Sequence, residues 1–189
     1  VALRPRSADA HNDLGVAYVK LGRIEAAQEQ WIQALEIDPD HASFVAPKDM
    51  PAAIRDFCQA TGQPVPETEG QVIRTALESL ALRYRMVLGW LRELTGADIQ
   101  TIHIVGGGTQ NRLLCQMAAD ACNRRVVTGP IEATAIGNIL VQAIAMGEIA
   151  SLSEGRDLVR NSFDVEIFEP QNKSAWHEVY VRYKQLTEK

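Results

Sequence analysis

Ile102-His103-Ile104-Val105-Gly106-Gly107-Gly108-Thr109-Gln110-Asn111 is the stretch on which the fold turns. Ile102 to Val105 is a short apolar run of the kind that forms a buried strand. The three glycines end that run as a turn, and Asn111 to Asn123 reads as a helix. Working outward, Arg125-Val126-Val127 is a second strand and Thr134 to Met146 an apolar helix. Glu154 to Asn161 is a further short helix, Val165 to Phe168 a strand, and Ser174 to Leu186 a closing helix. Strand, glycine turn, helix, strand, helix is the layout of an α/β sheet with helices laid on it.

The glycine turn is also the strongest candidate site. Without Cβ atoms the backbone at Gly106, Gly107 and Gly108 can approach a ligand closely. The helix that follows offers free N–H groups to an anion. A nucleotide in such a sheet sits beyond the carboxyl end of a strand. As a bare pattern the turn is neither GxGxxG nor a P-loop with its lysine, and a simple tight turn and a phosphate or nucleoside site weigh equally. A second candidate is Gly129-Pro130-Ile131-Glu132-Ala133-Thr134-Ala135-Ile136-Gly137-Asn138. Glu132 or Thr134 is placed to cap the next helix. Gly137, inside that helix, points to a close approach by another element or a ligand, with helix packing the favoured reading.

Other polar residues carry less. Asp120 reads as a solvated or capping residue, and His103 as a structural histidine. Trp176, Tyr180 and Tyr183 share a helix face and are expected in the core. No Ser-His-Asp or Cys-His arrangement and no zinc spacing is visible. Cys58, Cys115 and Cys122 are an odd set. Cys115 and Cys122 stand two helical turns apart, roughly 10 Å along the axis, too far to bridge. Buried thiols in a reducing cytoplasm are expected.

Upstream of the first strand, Met50 to Thr61 reads as a helix with Pro51 in its first turn, ending at Gly62. Thr68-Glu69-Gly70-Gln71 is a capping box. The long helix behind it shows one apolar face, Ile73, Leu77, Leu80, Tyr84, Val87, Leu91 and Leu94, and stops at Gly96. Residues 8–41 read differently. Leu14, Ala17, Tyr18 and Leu21 form one helical stripe, and Ile24, Ala27, Trp31, Ala34 and Leu35 another, with Gly22 between them and Pro39 at the end. The chain divides into a helical hairpin, 1–43, and an α/β part, 44–189.

The whole chain has 189 residues, 46% apolar and 23% charged, with a net charge of −5. That charge argues against a nucleic-acid or anionic-lipid partner. No leader with a long apolar stretch is seen, and the most apolar stretch, Ile136 to Ala150, is too short and too interrupted to span a bilayer. The chain starts at Val1, from which a processed or fragmentary protein is expected.

Two resemblances add to this reading. Leu14-Gly15, Tyr18, Ala27, Trp31, Ala34 and Pro39 fall at the positions of one tetratricopeptide repeat, with His11 where a Trp is usual. From Phe44 to about Leu186 the chain resembles the C-terminal part of the rhamnulokinases, within the FGGY carbohydrate kinases. The matching blocks are Ala46 to Pro51, Thr61 to Thr68, Glu78 to Tyr84, His103 to Asn111, Ala119 to Cys122 and Gly129 to Asn138. This resemblance implies the nucleotide-binding C-terminal part of an actin-like ATPase (ribonuclease H-like) kinase lobe. It implies ATP and Mg²⁺ as cofactors, a ketose sugar as substrate, and transfer of phosphoryl from ATP to L-rhamnulose. Carried over by motif, Gly107 is the ATP-binding position, flanked by Gly106 and Gly108, with Gln110 and Asn111 as weaker candidates.

The family's first phosphate loop, its sugar contacts and the aspartate that deprotonates the sugar all lie upstream of the matched part. No catalytic residue and no metal ligand is therefore placed in this chain, and phosphoryl transfer by it alone is not expected. Three readings follow: a kinase lobe that keeps part of an ATP site, a scaffold that meets a protein partner through its hairpin, or a fusion remnant.

Overall fold

The computed structural model describes residues 37–172 and 175–187. The hairpin expected at 8–41 lies, up to residue 36, outside the described residues. The described residues begin with Ile37, whose N–H donates to Ser79 Oγ at 2.8 Å, and a short 3-10 turn at Ala42–Phe44.

Local signals set the helix ends. Helix α1, Met50–Ala60, starts where Asp49 Oδ1 accepts from Ala52 N at 2.9 Å, with Pro51 in the first turn. It buries Ile54, Phe57 and Cys58 against Ile37 and Val72. Helix α2, Glu69–Thr95, opens with the full capping box. Gln71 N donates to Thr68 Oγ1 at 3.2 Å and Thr68 N donates to Gln71 Oε1 at 3.0 Å. It closes at Gly96 in the left-handed conformation.

The face that α2 buries differs from the apolar stripe. Val72, Thr75, Glu78, Ser79, Ala81, Leu82 and Met86 are buried, while Ile73, Tyr84, Val87, Leu91 and Leu94 are exposed. The physical reason is the partner. α2 lies along helix α3, Arg112–Cys122, whose facing residues are Met117 and Ala121, so small and medium side chains mesh where bulky ones would hold the helices apart. Thr75 and Ser79 meet the low-polarity interior by donating their hydroxyls to Gln71 O and Thr75 O, four residues back. Glu78 is paired with Arg74 at 2.6 Å, and burial lowers the Arg74 pKa.

The sheet has three strands, β1 (Thr101–Ile104), β2 (Arg125–Thr128) and β3 (Ile167–Phe168), in that order. β1 and β2 run parallel, with Ile102 opposite Val126, and β2 and β3 antiparallel. α3 is the crossover between the parallel pair. Its Cys115, Ala118 and Ala119 pack on Val126, Phe168, Ile102 and Ile104. Its Met117 and Ala121 pack on α2 and on the closing helix α6, Ala175–Thr187, where Trp176 and Tyr183 are buried and Tyr180 is partly buried, as their spacing predicts. Helix α4, Ala133–Ala145, meets helix α5, Leu152–Ser162, through Leu140 beside Gly155. The result is a mixed α/β unit, mostly helical, as the strand and helix order predicts.

Candidate functional site

Both parallel strands end in a glycine-containing loop, and the register of the pair puts the two loops side by side. Gly106 N donates to Pro130 O at 3.1 Å and Gly129 N donates to Ile104 O at 2.8 Å. Two glycines are required here. Gly106 has φ 77, in the left-handed region. A Cβ on Gly129 would stand 2.8 Å from Val105 Cγ1. The first loop continues as a 3-10 turn, Gly106–Gln110, in which Thr109 Oγ1 donates to Gly106 O at 2.8 Å. Gly107 and Gly108 are exposed, and a Cβ on Gly107 would meet no atom within 4 Å. The glycine turn thus sits at the carboxyl end of a strand, open to solvent, as the strand–glycine–helix pattern predicts.

A groove of about 690 Å³ opens beside these loops. Thr128 and Gly129 lie where β2 ends. Pro130, Ile131 and Glu132 come from the loop before α4, and Phe163, Asp164 and Glu166 from the segment before β3. The β2–β3 pairing holds these walls together: Thr128 N donates to Glu166 O and Glu166 N to Thr128 Oγ1, each at 2.9 Å. At the mouth stand Thr109, Gln110 and Arg112. Arg112 forms an ion pair with Glu166 and lies 5.6 Å from the Phe168 ring centroid.

The expected site residues separate in this geometry. Gln110 lines the groove, while Gly106, Gly107 and Gly108 form the adjoining loop. Asn111 serves another purpose: its Oδ1 accepts from Leu114 N at 3.0 Å and caps α3. Phe163, Asp164 and Glu166 carry no local signal in the sequence, because an antiparallel pairing across some forty residues brings them in.

Other expectations change. Asp120 is buried, and its Oδ1 accepts from Gln171 N at 2.7 Å, Asn172 N at 3.4 Å and Gln116 Nε2 at 3.0 Å. It therefore ties the loop before α6 to α3 instead of being solvated, and desolvation raises its pKa while these donors oppose the rise. His103 is exposed on β1. Glu132 holds the N-cap position of α4 but makes no side-chain cap bond. Nothing lies within 4 Å of a Cβ on Gly137, so no described element approaches it. All three cysteines are buried and form no disulfide, and burial pushes the Cys122 thiol up to about 12.

A second cavity of about 520 Å³ is lined by Arg85, Arg92, Arg124 and His177 among others. Two of its guanidiniums are committed to carbonyl oxygens, Arg85 to Trp176 O at 3.2 Å and Arg124 to Ile99 O at 2.6 Å. Among the described residues no three His, Cys, Asp or Glu side chains cluster as metal ligands, and no helix is long and apolar enough to cross a membrane.

Comparison with known proteins identifies the family of the chain. The model of the C-terminal domain of the FGGY family of carbohydrate kinases matches residues 5–146. The match begins inside the segment read from sequence as a hairpin. A rhamnulokinase of Bacteroides thetaiotaomicron is 47% identical over 148 residues, 78% of this chain and 30% of that protein. One of Pectobacterium carotovorum is 39% identical over 165 residues, 87% of this chain and 33% of that protein. The chain thus spans about a third of the length of these relatives. The crystal structure of xylulose kinase from Rhodospirillum rubrum superposes with a TM-score of 0.54 at 23% identity, over 67% of this chain and 26% of that one, which supports the kinase-lobe fold.

Proposed function

The chain belongs to the FGGY family of carbohydrate kinases, and from that membership we propose that it is the nucleotide-holding part of a rhamnulokinase-like sugar kinase, with ATP as donor and L-rhamnulose as acceptor. The observation that carries this reading is the pair of stitched loops at the ends of β1 and β2, with Gly107 open to a ligand and a groove beside it. Strand-end loops of this kind are where α/β sheets receive nucleotides. The residues fit ATP: Gly107 and Gly108 present backbone that a phosphate can approach, and the groove has room for a nucleoside.

Mg²⁺ neutralises phosphate charge when bound. It is commonly held by one or two carboxylates together with substrate phosphates. This chain's own part is to bind and orient the nucleotide. The base that takes the sugar proton and the sugar contacts belong to regions outside the matched blocks, so the 189-residue chain is expected to bind ATP without sugar-dependent turnover. A cytoplasmic setting is consistent with three cysteines that form no disulfide. The hairpin at 1–43, and a protein partner met through it, belong to the same proposal.

The test is calorimetric titration of ATP into the wild-type chain and into Gly107→Val, beside a coupled ADP-release assay. We expect ATP binding that the variant loses while keeping its fold, since the added side chain enters open space. ATP binding unchanged in the variant would refute the site, and L-rhamnulose-dependent turnover by the chain alone would refute its dependence on other parts.

A further inference from the structure

The cavity of about 520 Å³ lies at the opposite end of α3 from the glycine loop. The length of the helix sets the two ends roughly 16 Å apart. Arg85 and Arg92 enter the cavity from α2, where a spacing of seven puts them on one face. Arg124 enters it just past the end of α3, and His177 from the first turn of α6.

The three guanidiniums are unequally neutralised. Arg124 is paired with Asp98 at 2.7 Å. Arg85 is held by groups without charge: Nη1 donates to Trp176 O at 3.2 Å, Nη2 lies 3.4 Å from His177 Nδ1, and Cζ lies 4.2 Å from the Tyr180 ring centroid. These contacts orient the fork and leave its charge uncompensated, and burial lowers the Arg85 pKa. Arg92 is exposed. Among the described residues neither Arg85 nor Arg92 has a carboxylate partner. The one carboxylate in the lining, Asp120, is met by three N–H donors of its own, and the Cys122 thiol, pushed up to about 12, stays neutral. A pre-oriented guanidinium with unused donors, beside a second one, is a donor set that a tetrahedral oxyanion satisfies.

We propose that this cavity binds a phosphate group, free or carried by a small metabolite, between Arg85 and Arg92. The site is separate from the nucleotide site and does not rest on that reading.

Inorganic phosphate and glucose 6-phosphate are titrated calorimetrically into the full chain and its variants, with thermal melts as fold controls and the His177 ring signals followed by NMR. Phosphate binding should shift the His177 signals. It should weaken roughly tenfold in Arg92→Gln, and as much in Arg85→Lys, which keeps the charge and loses the fork. Arg92→Gln alters an exposed side chain, so it decides the matter if Arg85→Lys does not fold. Arg156→Gln, which removes the same charge from α5, and Gly107→Val should leave binding within about twofold. Glucose 6-phosphate binding at least as tightly as phosphate marks an ester as the occupant, and binding of phosphate alone marks the free ion; both sustain the site. Equal weakening in Arg156→Gln would reduce the effect to net charge, and loss in Gly107→Val would put the anion at the glycine loop. Either result overturns the inference, as does no binding of either probe at about 10 mM.

Discussion

α3 and α4 are near in length and each follows a strand and a glycine-containing loop, yet they have opposite fates. α3 buries Leu114, Cys115 and every residue from Met117 to Cys122, including a carboxylate. α4 is the more apolar sequence and buries nothing among the described residues; Ile139 and Val141 on it, and Met146 just past it, are more than half exposed. Composition did not set burial here. α3 crosses between the parallel strands and is clasped by the sheet on one side and by α2 and α6 on the other. α4 touches α5 through Leu140 and Gly155. Hydrophobic free energy is gained where a surface is covered, and among the described residues only α3 is covered on both sides.

The sharpest way to break this comparison is to remove side-chain volume from α3. Met117→Ala should cost about 2–5 kcal/mol, because its site is closed by α2 and α6 and cannot collapse. Urea unfolding measures it, and a shift in midpoint worth under 1 kcal/mol would mean that α3 is not the core. The loops at the strand ends come next. Gly129→Ala should cost about 1–3 kcal/mol, since the new Cβ meets Val105 at 2.8 Å. Unchanged stability would show that the Val105 side chain turns aside to admit the new methyl.

A smaller effect is one of pH. Asp120 has a pKa raised above its unfolded value, so the native state binds the proton more tightly. Its contribution is then fully present below the ordinary aspartate pKa and is lost as pH rises through the raised one. Asp120→Asn should flatten this fall of stability across the mildly acid range, and an unaltered pH profile would speak against a buried carboxyl there.

On α4 the effects should be small and partly of the opposite sign. Gly137→Ala should stabilise the chain by roughly 0.5–1 kcal/mol, because its Cβ meets nothing and the unfolded chain loses freedom. A loss of stability would reveal a contact that covers the helix. Ile139→Ser, at 65% exposure, should change stability by under about 0.5 kcal/mol and reduce self-association in light scattering. A loss above 2 kcal/mol would place Ile139 in a core.

Much of the fold was legible because its signals are short in range. Thr68 and Gln71, Asp49 and Ala52, and Asn111 and Leu114 satisfy one another across three residues, so the sequence announces each helix start without reference to anything distant. The site is less legible at this range. Asn111, a ligand candidate beside the glycine turn, also caps the helix start with its oxygen. Asp120 reads as surface because carboxylates are costly to bury, and only the packing of 171–172 against α3 supplies the donors that make burial tolerable. Phe163 was invisible for a related reason: it borders the groove through a β2–β3 pairing that no local pattern encodes.

The sequence by itself determined where the described strands and helices lie, which glycines form the turn at the end of β1, and to which family of kinases the chain belongs. Those depend on backbone conformations and hydrogen bonds among near neighbours, and on motifs that survive as words. The tertiary structure alone decided which face of α2 is inside, that α3 and not α4 is the buried helix, and which remote residues wall the groove. A helix carries several possible apolar faces, and the one that is buried is chosen by the shape and spacing of what lies across from it. In α2 that choice fell on Ala81, Leu82 and Met86, which pack with Met117 and Ala121 of α3, and left Ile73, Val87 and Leu91 outside.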